Sequence, residues 1–250
     1  MLITKLIKII KIFLYWNLFD IYNLLIKKKI NFKIKRNKIS DIDKIIFEHF
    51  RNKEKKNINL KTFSESLKRL NKNSTIIETG SSAWGCNSSI LFDSFVNSFG
   101  GKLLTCDLRI EPAFYLRKLA TEKTTFYNMD SIKFLEELKH QNIYCNLIYL
   151  DSMDINFDNF YPSMIHGLNE FFLADQLINK GGMILIDDTP ANIKIAKKVW
   201  SSENFKKTLD FYSKFKFLPG KGSLVKNIIK YNNKYKIILH EYQLLIRKIS

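Results

Sequence analysis

Carboxylates recur at the ends of apolar segments between residues 107 and 188 of this chain. Asp107, Asp151 and the pair Asp187-Asp188 each end such a segment, and Asp130 follows another after a single residue. Carboxylates that gather in one place repel one another unless a cation or a shared proton neutralises them. Oxygen ligands of this kind suit Mg²⁺ or a similar hard ion. The pattern therefore predicts a polar site that could hold a cation.

A turn rich in glycine and serine lies between the first apolar segment and the next predicted helix. Gly80 and Gly85 let the backbone turn tightly and approach a ligand, and the helix that begins near Asn87 points its N-terminus at it. The spacing GxSxxG departs from the dinucleotide-binding GxGxxG, and a plain tight turn also explains it. Asp107, which ends the second segment, can accept both hydroxyls of a ribose.

Several of these residues keep two interpretations. Asp130 either reaches an adenine amino group or caps the helix that begins at Ser131 or Ile132. Asp188 either joins a cation site or caps the following helix. Asp154 and His166 are the candidates for a general base, although His166 would equally suit a solvated helix face.

Strand-like and helical segments alternate regularly from Ser74 onward. The predicted strands are Thr75–Thr79, Leu103–Asp107, Thr125–Asn128, Asn146–Leu150 and Met183–Asp187. The helices between them include Ser131–Lys139 and one from about Ser163 to Asn179 that stops at Gly181-Gly182. Such repeats predict an α/β fold, a Rossmann-like doubly wound and mostly parallel sheet, whose ligands bind at the carboxyl ends of the strands. Tyr235–Leu239 and Tyr242–Arg247 predict an antiparallel pair at the sheet edge.

The order of these motifs resembles that of the class I S-adenosylmethionine-dependent methyltransferases, over roughly Ser74 to Arg247. It is similar in particular to the small-molecule O-methyltransferases, in which an Asp after strand four and an Asp-Asp pair after strand five hold a divalent ion. The resemblance implies methyl transfer from S-adenosylmethionine to a hydroxyl of a small molecule or glycan, with Mg²⁺ or another divalent cation as an additional cofactor.

The resemblance also implies roles for individual residues. The cofactor would be bound by residues of the first three strand ends: Glu78, Gly80, Ser82, Gly85, Asp107, Asp130 and Ser131. Asp151, Asp187 and Asp188 would bind the metal. Asp151, Asp154 and His166 are the catalytic candidates. The segment from Pro190 to Lys226 would shape access of the acceptor, with Lys221, flanked by glycines, at a mobile point.

The charge of the chain is concentrated near its start. Residues 1–38 hold ten Lys/Arg and a single acid, Asp20, so more than half of the net charge of +17 lies there. A uniformly basic nucleic-acid-binding protein would not show this asymmetry, and no specific nucleic-acid partner is expected. The apolar stretch Ile12–Ile26 predicts an amphipathic helix that either lies on an anionic membrane surface or packs on this domain or a second subunit.

These patterns divide the chain into a basic extension (1–38), a helical connector (39–73) and a methyltransferase-like domain (74–250). Three cysteines without metal-ligand spacing suit a reducing cytoplasm, with peripheral membrane attachment as an extension of that prediction. Two other classes stay open. A nicotinamide-dependent oxidoreductase is suggested by the Tyr212-x-x-x-Lys216 spacing, and a non-catalytic binding protein could use the same fold.

Overall fold

The computed structural model describes residues 29–51, 58–81 and 87–250. The strands are β1 (Lys29–Asn31), β2 (Ser74–Thr79), β3 (Gly101–Asp107), β4 (Thr124–Asn128), β5 (Cys145–Leu150), β6 (Ile178–Ile186), β7 (Tyr235–His240) and β8 (Leu244–Lys248). The helices are α1 (Ile42–Phe50), α2 (Leu60–Lys68), α3 (Ser88–Phe99), α4 (Glu111–Leu116), α5 (Ser131–His140), α6 (Tyr161–Leu177), α7 (Ile193–Val199), α8 (Ser202–Phe215) and α9 (Ser223–Ile229).

The strands form one sheet in the order β1-β4-β3-β2-β5-β6-β8-β7. The five strands from β4 to β6 are parallel, whereas β8 runs antiparallel to both β6 and β7. The predicted fold class, with its antiparallel pair at the C-terminal edge, is confirmed. The chain leaves β2 toward β3 on one side and later returns to β5 on the other. The carboxyl ends of β2 and β5 therefore flank a topological switch point, where open α/β sheets bind ligands.

Helices cover both faces of the sheet because alternate strand residues point to opposite sides. Ile76 packs with Phe63 of α2 and Phe92 of α3 in one apolar cluster. Its neighbour Ile77 packs with Phe134 of α5 in the other cluster. All of these side chains are fully buried, and each buried side chain of this size contributes about 1.5–3 kcal/mol of transfer free energy.

The part of the chain before β2 packs on this sheet. Strand β1 pairs antiparallel with β4, with Lys29 opposite Tyr127. The segment 39–73, predicted as a helical connector, contains α1 and α2, and both bury apolar side chains in the cluster that holds Ile76. The predicted amphipathic helix Ile12–Ile26 lies outside the described residues and stays a prediction. Within the described ranges, no helix combines the length and apolar character needed to cross a membrane.

The glycine pair Gly181-Gly182 does not stop a helix, contrary to the prediction. Helix α6 ends at Leu177, and the glycines lie inside β6. The pairing of β5 with β6 is interrupted here: Cys145 lies opposite Ile178, whereas Leu147 lies opposite Met183. The extra residues of β6 form a bulge, and Gly181 adopts a φ of 82° within it, a conformation that glycine tolerates without strain.

A buried carboxylate joins three segments at the β4 side of the sheet. Asp93 of α3 is fully buried and accepts hydrogen bonds from the Thr121 amide at 2.8 Å, the Thr121 hydroxyl at 2.8 Å and the Thr124 hydroxyl at 2.6 Å. The Arg36 guanidinium lies 2.7 Å from its other oxygen. The segment that follows β1 is therefore held to α3 and to the start of β4 by one side chain.

We expect Asp93→Ala to lower the free energy of unfolding by about 3 kcal/mol, because it leaves the buried Thr121 and Thr124 donors without this acceptor and removes the charge that pairs with Arg36. Urea denaturation followed by circular dichroism measures this. The matched control is Asp158→Ala, which removes an ion pair to Lys207 from an aspartate whose side chain is 80% exposed. That change should cost less than about 1 kcal/mol. Equal losses in the two variants would contradict the role given to Asp93.

Candidate active site

A cleft of about 400 Å³ opens at the carboxyl ends of β2, β3, β4 and β5. Its volume falls in the range of about 300–1,000 Å³ that is typical of small-molecule sites. It is lined by seven residues that the sequence analysis singled out: Gly80, Asp107, Asp130, Ser131, Asp151, Asp154 and His166. The structure thus brings these residues together in one cleft. Ser82 and Gly85 lie outside the described residues.

Gly80 sets the geometry at the switch point. Its φ is 82°, and a Cβ atom added there would lie 2.2 Å from the carbonyl oxygen of Asp151. A side chain at this position would therefore separate the ends of β2 and β5. The Asp151 amide donates to the Thr79 carbonyl at 3.0 Å and continues the pairing of these strands up to the cleft.

Asp107 is held by an arginine that the sequence analysis did not single out. The Arg109 amide and Nε donate to Asp107 Oδ1 at 2.8 and 3.0 Å, and Nη2 donates to Oδ2 at 3.0 Å. Hydrogen bonding to the Asp107 carboxylate raises the pKa of Arg109. The Arg109 side chain is about half exposed, whereas that of Asp107 is buried.

Asp130 caps helix α5, as one of its two interpretations predicted. Its Oδ1 accepts from the amides of Ile132 and Lys133 at 3.0 and 3.2 Å. The cap accounts for that oxygen, and the residue also lines the cleft. Capping and contact with a ligand are therefore compatible at this position.

His166 lies in a polar network between α5 and α6. Its Nε2 lies 3.0 Å from the Ser131 hydroxyl and 2.8 Å from the Ser152 hydroxyl. Ser152 also donates to Glu170 Oε1 at 2.8 Å. The Glu170 carboxylate, 3.7 Å from the ring nitrogen, raises the pKa of His166 against the opposing effect of burial. His166 is thus a site residue rather than one on a solvated face, and it stands beside Ser131 at the predicted adenine end of the cleft.

Glu78 does not line the cleft, unlike Gly80, Asp107, Asp130 and Ser131. It is fully buried, and its carboxylate accepts hydrogen bonds from the hydroxyls of Ser88, Ser89 and Thr105. Burial raises its pKa to about 7 despite these three donors. Glu78 thus joins the end of β2 to the start of α3, and both of its carboxylate oxygens already accept hydrogen bonds from protein hydroxyls.

The carboxylates of Asp151, Asp187 and Asp188 gather beside the cleft. The Tyr149 hydroxyl lies 2.8 Å from Asp187 Oδ2 and 3.1 Å from Asp151 Oδ2. Gln243 Nε2 donates to Asp187 Oδ1 at 3.0 Å. Burial and the neighbouring Asp188 carboxylate raise the pKa of Asp187. The predicted convergence of these acids at one edge of the sheet is confirmed.

A lysine stands among these acids. Lys221 Nζ lies 2.5 Å from Asp151 Oδ1 and 3.1 Å from Asp188 Oδ2. Burial lowers the pKa of Lys221, but the surrounding carboxylates outweigh burial and raise that pKa well above its ordinary value. Within the described part of the chain, no three His, Cys, Asp or Glu side chains are arranged to hold a metal ion. Two of the three acids predicted to bind a divalent cation, Asp151 and Asp188, instead contact an ammonium group.

The prediction that Lys221 lies at a mobile point is wrong. Its exposed fraction is 4%. The flanking glycines allow close packing: a Cβ atom at Gly220 would lie 2.4 Å from the Asp188 carbonyl oxygen, and one at Gly222 would lie 2.8 Å from Thr189 Oγ1. The Gly222 amide also donates to that hydroxyl at 2.9 Å. The pair of glycines therefore holds the lysine against the acids.

A second cavity, of about 580 Å³, lies between the loop after β6 and helices α8 and α9. Its wall includes Thr189, which follows Asp188, and Ser223, which lies two residues after Lys221. Four lysines also line it, namely Lys194, Lys216, Lys226 and Lys230, and no acid among the described residues does. The cavity shares its walls with the loops that carry the acids and the lysine.

Some of the site residues that the sequence analysis missed could have been found from local spacing, whereas others could not. Tyr149 precedes Asp151 by two positions on a strand, so period-2 alternation places both on the same face. Arg109 follows Asp107 at the same spacing and could have been proposed as its partner. Gln243 and Lys221 come from distant segments, and only the tertiary fold brings them to the site.

The sequence matches no protein-family model and no curated protein, whereas its fold matches solved structures. The MycE methyltransferase from the mycinamycin biosynthetic pathway, in complex with Mg and SAH, has a TM-score of 0.56 and 14% identity, over 85% of this chain and 55% of that chain. This chain thus spans about half the length of MycE.

Two shorter proteins match over most of their length. A putative O-methyltransferase from Klebsiella pneumoniae has a TM-score of 0.52 and 14% identity, over 84% of this chain and 90% of that chain. The O-methyltransferase from Bacillus cereus, in complex with SAH, has a TM-score of 0.50 and 12% identity, over 94% of this chain and 99% of that chain. These likenesses establish the class of fold, which is the Rossmann-like fold of class I methyltransferases.

The pKa of Glu78 predicts a pH dependence of stability. The ordinary glutamate value is 4.5 and the folded value is about 7, so the folded state holds an extra proton between these values. The free energy of unfolding should therefore fall by about 3 kcal/mol as the pH rises from 4.5 to above 7. Glu78→Gln removes this contribution.

Urea titrations at pH 5 and pH 8 measure the effect as a difference between the wild type and the variant. Glu136→Gln, which changes an exposed residue of α5, is the matched control and should leave the wild-type dependence intact. A Glu78→Gln protein with the same pH dependence as the wild type would show that Glu78 does not hold the proton.

Proposed function

We propose that this protein is an S-adenosylmethionine-dependent methyltransferase that methylates a hydroxyl group of a small molecule or glycan. The observation that carries the proposal is the cleft at the switch point, which gathers Asp107, Asp130 and Ser131 on one side and Asp151 on the other. The fold supports it as well, since the solved structures with SAH share that fold. The proposal extends what those proteins bind to this chain.

Different residues of the cleft would bind different parts of the cofactor. Asp107 would accept the ribose hydroxyls, in exchange for part of its pairing with Arg109. Ser131 and the free oxygen of Asp130 would contact the adenine. Asp151, at the far end of the cleft and beside Gly80, would face the methionine part. Ser82 and Gly85, which follow Gly80 in the sequence, would also contact the cofactor.

The cofactor supplies a methyl group on a positively charged sulfur, which is already activated for displacement. The protein then has to hold an acceptor oxygen in line with that carbon, and this alignment is its main contribution to the rate. As the oxygen–carbon bond forms, the carbon–sulfur bond breaks and its electron pair stays on sulfur. The hydroxyl proton must leave at the same stage, and a carboxylate at the cleft end can accept it.

Asp151 and Asp154 are the proposed proton acceptors. Both line the cleft, and Asp151 contacts Lys221, which lies two residues before Ser223, a residue in the wall of the second cavity. His166 contacts Ser131 and Ser152 at the adenine end, so we assign it a positioning role for the cofactor.

The second cavity is the proposed acceptor site. It adjoins the acid-bearing loops, and its lysines favour an acceptor with a carboxylate, phosphate or similar negative group. The competing oxidoreductase interpretation relied on Tyr212 and Lys216. Both residues line this second cavity and neither lines the cleft that holds Asp107. Their placement favours the methyltransferase over the oxidoreductase.

Calorimetry with S-adenosylhomocysteine tests the cofactor assignment. Asp107→Ala should weaken binding roughly 10- to 100-fold, because it removes the charged acceptor of the ribose hydroxyls. Glu111→Ala removes the same charge from an exposed position of α4 and should leave the affinity unchanged. NAD(H) should show no binding. Absence of binding of S-adenosylhomocysteine to the wild type, or tighter binding of NAD(H), would overturn the proposed function.

A matched set of hydroxylated acceptors, with and without a carboxylate or phosphate, tests the acceptor site using radiolabelled cofactor. The anionic member of each pair should have the lower KM, and Lys226→Ala should raise that KM about tenfold. Lys206→Ala, on the exposed surface of α8, should not change it. Equal KM values within each pair would contradict an anion-binding cavity.

A further inference from the structure

Lys221 is placed among the acids by its backbone as well as by its side chain. The Lys221 amide donates to the Asp188 carbonyl at 3.2 Å. A Cβ atom added to Gly167 of α6 would lie 2.3 Å from the Lys221 carbonyl oxygen, so the helix packs directly on this residue. A lysine held on two sides in this way, with 4% of its surface exposed, cannot move into solvent while the fold stays intact.

The ammonium and a divalent ion would compete for the same oxygens. Mg²⁺ needs its oxygen ligands at about 2.0–2.1 Å in near-octahedral geometry. Lys221 Nζ already lies 2.5 Å from Asp151 Oδ1 and 3.1 Å from Asp188 Oδ2. A dication bound to both carboxylates would stand within a few ångströms of the ammonium, where their charges repel strongly. The site therefore has room for one of the two cations.

We propose that Lys221 is the resident cation of this site and takes the place of a divalent metal ion between Asp151 and Asp188. The site would then neutralise its buried acids without an external cofactor. This corrects the metal assignment that the family resemblance implied for Asp151, Asp187 and Asp188.

One N–H group of the Lys221 ammonium has no partner among the described residues. An ammonium carries three N–H groups, and two of them face Asp151 and Asp188. No third partner of this nitrogen is found among the residues that the structure describes. Lys221 lines neither the cleft nor the second cavity, so its two ion pairs with the acids account for its role.

Mn²⁺ binding measured by electron paramagnetic resonance tests the proposal on the full-length protein. The wild type should show no saturable site, and its melting temperature should be equal in EDTA and in Mg²⁺. Lys221→Ala should gain one Mn²⁺ site, which the second change Asp188→Asn should remove, since Asp188 is one of the two acids that the lysine contacts. Lys221→Met, which keeps most of the side-chain volume, provides the same test if the alanine variant does not fold. Lys206→Ala should behave as the wild type.

A saturable Mn²⁺ site in the wild type that Asp188→Asn abolishes would overturn the proposal. A folded Lys221 variant that gains no site would also overturn it, because the lysine would then not be what excludes the ion. Neither measurement requires methyl transfer. Failure of S-adenosylhomocysteine to bind would therefore defeat the proposed function and leave the result on Lys221 standing.

Discussion

The structure of this site depends on neutralising carboxylates that the sheet forces together. Asp151 follows β5 and Asp187 follows β6, and because these strands are parallel neighbours their ends cannot separate. Asp187 is buried, and about a fifth of the Asp151 side chain is exposed. The contacts around these acids offset the free-energy cost of burying them. The Tyr149 hydroxyl, the Gln243 amide and the Lys221 ammonium all point toward the carboxylates. Without these partners the burial of adjacent like charges would be strongly unfavourable.

The same requirement explains the architecture of the last quarter of the chain. The segment between β6 and β7 forms α7, α8 and α9 and returns over the carboxyl edge of the sheet. Its two glycines around Lys221 allow the backbone to pack against Asp188 and Thr189. The segment therefore supplies the neutralising cation and also forms the wall of the second cavity. One segment, between β6 and β7, therefore both neutralises the acids and shapes the proposed acceptor site.

Much of this fold could be predicted from the sequence, because local patterns determine it. Apolar runs bounded by acids indicated the parallel strands, and the rule that ligands gather at their carboxyl ends placed Asp107, Asp130 and Asp151 in one cleft. The antiparallel β7–β8 pair was also predicted. The glycine pair in β6 was misinterpreted because a helix stop and a strand bulge use the same residue type.

The parts that could not be predicted depend on contacts between distant segments. Nothing near Glu78 in the sequence reveals that Thr105 of β3 and two serines of α3 occupy its carboxylate. Glycines beside Lys221 suggested mobility, whereas the structure uses them for close packing. Local composition thus placed Asp107, Asp130 and Asp151 at the cleft, but the partners of these acids follow only from the three-dimensional arrangement.

The antiparallel pairing of β1 has a practical consequence for labelling. Lys29 lies opposite Tyr127, near the carboxyl end of β4, so the polypeptide enters the described fold at the same rim as the cleft. Strand β8 runs the other way, from Leu244 beside Ile186 to Arg247 beside Met183, toward the opposite rim. A fluorophore or surface-immobilisation handle attached at Lys248, the last residue of β8, would therefore be remote from the cleft, whereas one attached at Lys29 would stand at the rim of the cleft.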